Sequence, residues 1–371
     1  EFDGSQDFDV MLRTTERART IVHIPRLLYH WRAVAGSAAG DTNAKPWAYR
    51  ASKRVMEDTV RRRGLDATVE STKVPGMYHL RRRVADGPRV VVIIPFRDQA
   101  AMTARCLSSL SVSPGYENFE VLLVDNGSTE PEAIALVDRA RRRSIRVLDH
   151  PGEFNWSVIN NVAAGESDAD LLLFMNNDIE ATGSGWMKAL VELAQVPEVG
   201  AVGAKLVFPD GILQHGGIVV GMGGIAGHLF CGMPPGGIGY LGWAQVIRPC
   251  SAVTGACMMT RKEVFDELGG FDEELEVAFN DVDYCMRLND SGYRVLYTPL
   301  AELVHDESVT RGLSGYVHDV NHFLRKWSRD RLRRDPFYNP NLTLFHPWCS
   351  LRPPEEAAEW EERVDMLTGA A

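Results

Sequence analysis

The stretch "LLLFMNNDIE", residues 171–180, is an apolar run that breaks off at two amide side chains and a carboxylate. Short, continuous apolar runs are typical of strands that are buried on both faces of a parallel sheet. Buried strands do not usually end on three consecutive polar groups. The stretch therefore raises the question of what Asn176, Asn177 and Asp178 hold.

Three more apolar runs precede this one, and helix-like patterns separate the runs. The runs are "RVVVIIP" (89–95), "FEVLLVD" (119–125) and "SIRVLD" (144–149), and the helical patterns cover residues 100–110, 131–142 and 158–164. This alternation predicts a doubly wound α/β sheet. In such sheets, ligands bind beyond the carboxyl ends of the strands.

Polar residues cluster at each of these strand ends. They read "PFRD" (95–98), "DNGS" (125–128), "DHPGEFNWS" (149–157) and "NND" (176–178). Taken alone, "DNGS" suits a tight turn, and "NND" suits a helix cap before the amphipathic run 186–194. Four polar strand ends at one edge of a sheet nevertheless predict a binding site.

A second acidic cluster follows at a distance, in "AFNDVDYCMRL" (278–288), and His305 comes later. A neutral imidazole together with Asp178 suits a divalent cation, with diphosphate oxygens and water as further ligands. A carboxylate such as Asp281 that stays off the metal is free to accept a proton. The alternative for a lone histidine at a strand end is a structural role with satisfied hydrogen bonds.

Composition narrows the class of protein. The chain has 371 residues, is 45% hydrophobic and carries a formal net charge of -10, which argues against a nucleic-acid binder. No apolar run approaches the ~20 residues that a membrane span needs, and the first ten residues do not read as a secretory signal. Six cysteines without paired spacing predict reduced thiols and a cytoplasmic protein.

Seven ordered blocks between residues 89 and 343 resemble glycosyltransferases of family 2, which have the GT-A fold. The blocks are "VVIIPFRD", "VLLVDNGS", "FNWSVINN", "LLLFMNNDIE", "VTGACMMTRKEVFDELGGFDE", "FNDVDYCMRL" and the later histidine. Within the family the chain looks most similar to bacterial rhamnosyltransferase-like enzymes of O-antigen or cell-surface polysaccharide synthesis.

The resemblance implies an inverting transfer of a hexosyl or deoxyhexosyl group. The donor would be a nucleotide-diphosphate sugar, the acceptor a glycan or lipid-linked glycan, and the cofactor Mn2+ or Mg2+. It also implies a cytoplasmic enzyme that can associate peripherally with the inner face of the membrane. A nucleoside diphosphate leaves readily once a cation offsets its charge, so one base suffices.

Carried over to this chain, the family pattern makes Asp281 the catalytic base and Asp178 and His305 the metal ligands. The residues implied to bind the nucleotide sugar are Pro95, Arg97, Asp98, Asp125, Asn155, Asn161, Asn176 and Asn177. One departure is that Asn176 stands where the family's DXD motif begins with an acid. A neutral ligand at that position weakens the expected affinity for the metal.

The glycine-rich stretch 216–237 allows two interpretations. Gly221, Gly223 and Ala226 fit the GxGxxG/A dinucleotide fingerprint, but neither a helix-forming segment nor an acid ~20 residues later follows. We instead predict a mobile loop over the acceptor side. The residues predicted to contact the acceptor are His215, His228, Trp243 and Asp283.

The segment 5–32 parallels 279–307, with Asp7, Asp9, Arg13, Pro25 and His30 matching Asp281, Asp283, Arg287, Pro299 and His305. We therefore predict that residues 1–45 are the carboxyl-terminal remnant of an upstream glycosyltransferase domain. Residues 46–88 would form a helical linker with a short hairpin, and residues 344–371 a tail. The main domain would span 89–343, with a nucleotide-binding half at about 89–180 and an acceptor half at about 181–320.

Two alternatives belong to other classes of protein. A non-catalytic scaffold that binds a nucleotide sugar or glycan is compatible with Asn176, although Asp178, Asp281 and His305 argue for catalysis. A nucleotidyltransferase would also use an α/β sheet and a metal. Such an enzyme carries a glycine-rich, basic loop after its first strand, whereas this chain has "PFRDQAAMTARC" there.

Overall fold

The computed structural model describes residues 2–26, 28–30, 46–84, 87–307 and 316–368. The chain forms two compact units. The first is Glu1–Arg83 with Leu241–Val246, and the second is Val84–Tyr240 with Ile247–Ala371. The second unit thus begins five residues before the predicted start of the main domain at 89. The part of the predicted remnant from 31 to 45 lies outside the described residues.

The first unit contains two helices and a hairpin. Its elements are α1 (Gln6–Thr15), α2 (Pro46–Arg62), β1 (Ala67–Ser71) and β2 (Tyr78–Arg82), and the two strands pair antiparallel. α2 buries Ala51, Val55 and Val60 on one face, the spacing of an amphipathic helix. α1 buries none of its residues and carries acidic side chains in its first turn and a basic one in its last, as the helix dipole favours.

The second unit is built on one large mixed sheet and a small hairpin. Its strands are β3 (Val90–Phe96), β4 (Phe119–Asp125), β5 (Arg146–Asp149), β6 (Leu171–Met175), β7 (Ile179–Ala181), β8 (Val199–Val207), β9 (Leu213–His215), β10 (Ile218–Val220), β11 (Ala226–His228), β12 (Arg248–Pro249), β13 (Cys257–Arg261) and β14 (Arg294–His305). The spatial order is β12-β14-β8-β13-β6-β3-β4-β5, with β7 paired to β14 and β9 to β8. The small hairpin is β10 with β11.

The strands β6, β3, β4 and β5 run parallel, as the apolar runs predicted. β14 is parallel to β8, and the antiparallel strand β13 lies between β8 and β6. The α/β class with a central, mostly parallel sheet is therefore confirmed. β13 was not predicted as a strand, since its sequence "CMMTR" has no alternation and little β-branching.

Helices cover the sheet of the second unit. They are α3 (Ala100–Ser109), α4 (Pro131–Arg142), α5 (Trp156–Gly165), α6 (Trp186–Ala194), α7 (Lys262–Glu267), α8 (Asn280–Asp290), α9 (Tyr316–Lys326), α10 (Arg329–Leu332) and α11 (Glu356–Thr368). β3 is buried along its whole length, and Trp186 of α6 is fully buried in the same core. The residues at the carboxyl ends of β3, β4 and β6 therefore follow directly on strands of the packed core.

The glycine-rich stretch differs from the predicted mobile loop, because much of it folds as the β10–β11 hairpin with Val219 and Val220 buried. Gly221 has φ +86°, and a Cβ there would lie 2.2 Å from the carbonyl oxygen of Leu332. Only glycine fits such a turn. A strand follows the glycines where a dinucleotide-binding motif requires a helix.

All six cysteines carry free thiols. Among the described residues, no helix has the length and apolar content to cross a membrane.

Candidate active site

A cavity of about 1180 Å³ lies beyond the carboxyl ends of β3, β4 and β6. Its walls come from the ends of those strands, from the segment before β13, from the loop before α8 and from the end of β14. The antiparallel direction of β13 puts the beginning of that strand at this edge, where Asn176 N–H donates to the carbonyl of Ala256 at 3.0 Å. One side of the cavity is therefore formed by the amino-terminal end of β13, next to the carboxyl end of its antiparallel neighbour β6.

Most of the predicted site residues line this one cavity. They are Pro95, Arg97, Asp98, Asn176, Asn177, Asp178, His228, Asp281 and His305. Two of the amides also have fixed partners in the protein. Asn177 donates to the hydroxyl of Thr103 at 3.0 Å, and Asn176 Oδ1 lies 3.4 Å from the indole nitrogen of Trp156. The residues 281 and 305, more than a hundred positions from 176–178 in the chain, thus reach the same space.

The lining of the cavity includes a pair of polar atoms without hydrogen-bond partners in the described part of the chain. Nε2 of His305 lies 3.1 Å from Oδ1 of Asp178, and both side chains are nearly buried. Neither atom has a hydrogen-bond partner among the described residues, because the geometry between them does not fit a hydrogen bond. Buried polar atoms are normally satisfied, so this pair points to a missing partner.

The tautomer of His305 follows from its other ring nitrogen. Nδ1 lies 2.6 Å from Oε1 of Gln214, and Nε2 of Gln214 donates to Glu307 at 3.1 Å. The carboxylate of Glu307 only accepts, so it orients the amide with its oxygen toward the histidine. In the neutral imidazole, Nδ1 then carries the proton and Nε2 turns a lone pair toward the carboxylate of Asp178. Two acceptors that face each other at 3.1 Å need a cation or a proton between them.

These residues fit a divalent cation. Imidazole nitrogen and carboxylate oxygen are ligands for Mn2+, and a polar partner that fixes the ligating histidine is common at metal sites. The described residues contain no group of three or more His, Cys, Asp or Glu side chains that would hold a metal. A cation at Asp178 and His305 would therefore take its remaining ligands from a bound phosphate and water.

Asp281 sits in the first turn of α8, and its carboxylate is held at both oxygens. Oδ2 accepts from the N–H of Gly255 at 2.8 Å, and Oδ1 accepts from the N–H of Val282 at 2.8 Å. Phe279, the residue directly before α8, has φ +61°, which is strained for a bulky side chain. Its ring packs against Phe323, with 5.4 Å between centroids. The turn that aims Asp281 is thus fixed by packing on α9.

A buried carboxylate on α9 holds the loop in front of Asp281. Asp319 accepts three backbone N–H groups, from Glu276 at 3.1 Å, Val277 at 2.9 Å and Ala278 at 2.8 Å. The carboxylate is fully buried, and hydrogen bonds to backbone donors stabilise its charge. The residues 276–278 also line the cavity. Asp319 therefore sets the position of one wall without lining the cavity itself.

Three residues that the family resemblance assigned to the nucleotide do not line the cavity. Asp125 accepts from the N–H of Ser128 at 2.8 Å in the turn after β4. Asn155 caps α5 through Val158 N–H at 2.9 Å and donates to the carbonyl of Glu273 at 2.8 Å. Asn161 donates to the carbonyl of Phe271 at 2.9 Å. Each side chain shapes the turns behind the site.

Three residues assigned to the acceptor also lie elsewhere. Asp283 is fully buried, where it binds Arg287 at 2.8 Å, Lys326 at 2.8 Å and the indole of Trp327 at 2.9 Å. His215 is fully buried, 3.3 Å from His228 between their Nδ1 atoms, and burial lowers the pKa of His215 well below its usual value. Trp243 belongs to the segment that forms part of the first unit. None of the three lines the cavity.

Several lining residues carried no signal in the sequence. They are Gln214, Glu276, Phe279, Glu307, Tyr316 and Arg363. Gln214 directly precedes His215, which was predicted to contact the acceptor. Glu307 lies two residues after His305, which was predicted to bind the metal. Arg363 comes from α11, in the segment predicted as a tail, and its Nε donates to the carbonyl of Gly223 at 3.0 Å. The tail therefore contributes to the wall of the cavity.

The cavity is acidic. Its described lining includes two guanidinium groups and six carboxylates, at Arg97, Arg363, Asp98, Glu130, Asp178, Glu276, Asp281 and Glu307. Hydrogen bonds from the backbone N–H groups of Glu130 and Thr129 lower the pKa of Asp98, so this carboxylate stays charged. A diphosphate alone would be repelled here, whereas a diphosphate with a divalent cation would not.

A solved structure shares the fold of this chain. A solved structure of GalNAc-T7 with UDP, GalNAc and Mn2+ superimposes with a TM-score of 0.55 at 14% identity, over 84% of this chain and 62% of that chain. This likeness supports the class of fold. Residues 91–269 match the model of glycosyl transferase family 2, so this stretch of the chain is a domain of that family.

Two relatives are informative. The O-antigen biosynthesis protein RfbC of Myxococcus xanthus is 41% identical over 366 residues, which cover 96% of this chain and 28% of that protein. The N-acetylglucosaminyl-diphospho-decaprenol L-rhamnosyltransferase of Mycobacterium tuberculosis is 29% identical over 245 residues, which cover 59% of this chain and 76% of that protein. Two relatives match this chain over 92% and 96% of its length, but the chain spans only 39% and 28% of the lengths of those relatives.

Proposed function

We propose that the chain is an inverting, metal-dependent glycosyltransferase of bacterial surface polysaccharide synthesis. It would move a hexosyl or deoxyhexosyl group from a nucleotide-diphosphate sugar to a hydroxyl group of a glycan or lipid-linked glycan. The observation that carries the proposal is the unpartnered pair Asp178 and His305 in the same cavity as Asp281. The printed names of the two relatives, an O-antigen biosynthesis protein and a rhamnosyltransferase, support this class of product.

Asp178 and His305 would hold Mn2+ or Mg2+ together with the diphosphate of the donor. A cation bound there offsets the negative charge that develops on the leaving diphosphate. The relay from Glu307 through Gln214 keeps the lone pair of His305 Nε2 directed at that position. The acidity of the remaining cavity also favours a donor that arrives with its cation.

Asp281 would act as the general base. Its carboxylate takes the proton of the acceptor hydroxyl while the acceptor oxygen bonds to the anomeric carbon. The bond from that carbon to the diphosphate breaks at the same time, on the opposite face of the sugar, so the configuration inverts. The N–H groups of Gly255 and Val282 each occupy one lone pair of the Asp281 carboxylate, and the remaining lone pairs are left for the incoming hydroxyl.

The donor would lie over the ends of β3 and β6. Pro95, Arg97 and Asp98 would wall the nucleotide, and Asn176 and Asn177 would lie beside its phosphates. Asp125, Asn155 and Asn161 would support this pocket through the turns that they fix. We propose residues 89–343 as the catalytic domain, with α11 of the tail completing its wall, and the cytoplasm as the place of reaction, where nucleotide sugars are made.

The test is a panel of nucleotide sugars incubated with the chain and Mn2+, Mg2+ or a chelator, with release of nucleoside diphosphate as the readout. We expect metal-dependent release with at least one donor, and loss of release in Asp281→Asn at unchanged donor affinity. A non-catalytic scaffold, which Asn176 in the DXD position favours, would bind a donor without releasing its diphosphate with any acceptor tried.

A further inference from the structure

Two helices in different units of the chain are built alike. α1 begins at Gln6 and α8 at Asn280, which are equivalent positions in the parallel between "SQDFDVMLRTTERARTIVHIPRLLYH" (5–30) and "FNDVDYCMRLNDSGYRVLYTPLAELVH" (279–305). Oδ1 of Asp7 accepts from the N–H of Phe8 at 2.8 Å, as Oδ1 of Asp281 does from Val282 at 2.8 Å. The match therefore extends from residue types to the side-chain geometry of the first turn.

The ion pair one turn later is also repeated. Arg13 Nε lies 2.9 Å from Asp9 Oδ1, and Arg287 Nε lies 2.8 Å from Asp283 Oδ2. Pairs at i and i+4 are common on helices. Here the pair, the helix start and the acid of the first turn recur in one common frame, with Pro25 at the position of Pro299 and His30 one residue before the position that corresponds to His305. A duplicated structural unit explains all of them together.

The two copies differ in what covers them. In the second unit, Val295 and Leu296 of β14 are 0% and 5% exposed, because β14 lies beside β8 within the large sheet. The equivalent residues Ile21 and Val22 are 72% and 76% exposed. Further large apolar side chains of the first copy are exposed as well, namely Val10, Met11, Ile24, Leu28 and Tyr29. A run of exposed apolar residues of this size marks a surface that another element covers.

We propose that residues 5–30 are the last part of a second family 2 glycosyltransferase domain, completed by a donor half that precedes them in the natural protein. The fold of that half corresponds to the stretch from β3 to β13 of the second unit. Its sheet covers Ile21, Val22 and the apolar side of α1. The length of the relatives agrees, since the chain spans only 39% and 28% of two of them.

The completed domain has its own active site, in which Asp7 is the general base and His30 a metal ligand. These roles rest on the proposed function, since they are those of Asp281 and His305. Asp7 takes the proton of an acceptor hydroxyl, the acceptor oxygen bonds to the anomeric carbon, and the electron pair of the breaking bond leaves with the nucleoside diphosphate. One protein would thus make two successive glycosidic linkages.

The first test is hydrogen exchange of the natural full-length protein and of the 371-residue chain. We expect the amides of the segment around Ile21 and Val22 to exchange at least ~10²-fold more slowly in the full-length protein, as in a buried strand. Equal exchange in the two proteins, or a full-length protein without a preceding donor half, overturns the proposal. This measurement is independent of any catalytic role of Asp281 and His305.

The second test is the stoichiometry of Mn2+ bound to the full-length protein with UDP present, measured by electron paramagnetic resonance. Wild type should bind two Mn2+ ions, and His30→Ala and His305→Ala one each, with Asp3→Asn as an exposed control. If His305→Ala loses one ion and His30→Ala none, the second site is refuted while the proposed function stands. If His305→Ala loses none, the proposed metal site of the main domain fails instead.

Discussion

The backbone N–H of Gly255 donates to the carboxylate of Asp281 at 2.8 Å, across a gap of 26 residues in the chain. This bond joins the segment before β13 to the first turn of α8. A glycine and an acid that are neighbours only in the folded protein therefore fix the direction of the proposed base.

Asp281→Asn preserves the shape of this side chain but removes the group that takes the proton. We expect sugar transfer to fall by ~10²–10⁴-fold, the usual contribution of a positioned general base, with donor affinity nearly unchanged. Initial transfer rates and donor calorimetry measure the two effects separately. Asp290→Asn, at the other end of α8, is the matched control. Near-normal transfer by Asp281→Asn would place the base elsewhere.

Gly255→Ala tests the packing on the other side of the same bond. A Cβ at this position would meet the ring of Trp156 at 2.8 Å and Cβ of Asp281 at 3.4 Å. Displacement of either side chain should lower transfer, by up to ~10²-fold for a shift of about 1 Å. Gly165→Ala, where a Cβ has nothing within 4 Å, is the control for the loss of a glycine. Equal rates for the two variants would contradict the expectation.

Asp178→Asn and His305→Ala should each remove one ligand of the proposed cation. We expect the affinity for Mn2+ in the presence of UDP to fall more than ~10²-fold, and a chelator to abolish transfer by wild type. Isothermal titration with Mn2+ gives the affinity directly. Asp210→Asn, an exposed carboxylate away from the cavity, should bind Mn2+ like wild type. Full turnover in chelator would refute the metal assignment.

Within the 371-residue chain, Asp7→Asn and His30→Ala should leave the transfer rate of the main domain unchanged. Both residues lie on the first unit, and neither lines the cavity at Asp281. Transfer rates of folded variants, with circular dichroism to confirm folding, provide the measurement. A folded Asp7→Asn variant that lost donor turnover would give the first unit a catalytic role in this domain.

His215 should make the protein sensitive to acid. Burial lowers the pKa of His215. As the pH falls below about 6.5, this histidine is therefore protonated in the unfolded chain before it is protonated in the folded chain. Stability is therefore present above that pH and lost below it, with a slope of about 1.4 kcal/mol per pH unit for one proton. Burial lowers the pKa of His79 as well, so a single replacement should reduce the slope without abolishing it.

The measurement for His215 is denaturant unfolding between pH 7.5 and 5.5. His215→Gln should show a flatter dependence on pH than wild type, even if its stability at pH 7.5 is lower. His346→Gln removes a histidine from an exposed position and should keep the slope of wild type. Identical slopes for wild type and His215→Gln would show that this histidine is protonated equally in the folded and unfolded chains.

The elements of the sheet could be predicted because their signal is local. α4 and α6 match the predicted ranges 131–142 and 186–194, and β4 matches 119–125, since the apolar spacing that forms an element lies within it. The edge of the sheet that carries the cavity followed from the direction of parallel strands. β13 escaped prediction because its place between β6 and β8 depends on partners far away in the chain.

The roles of the site residues depend on distant partners in the same way. Asn155 and Asn161 resemble nucleotide ligands in the sequence, but they hydrogen-bond to residues 118 and 110 positions away. Asp283 follows Asp281 by two positions, yet on a helix this spacing turns the two side chains to different faces. One of them lines the cavity and the other is buried against Lys326. Glu276 and Gln214 had no motif that would distinguish them from ordinary polar residues.

The buried carboxylate of Asp319 ties the loop before the proposed base to α9, a helix from which Tyr316 lines the cavity and Asp319 does not. Its three backbone hydrogen bonds couple the position of that loop to the position of α9, whereas the residues proposed to bind the donor lie at the ends of β3 and β6. With those proposed roles, substitutions on α9 would alter the rate of turnover, and substitutions at the strand ends would alter the choice of sugar. The two properties could then change independently within one domain.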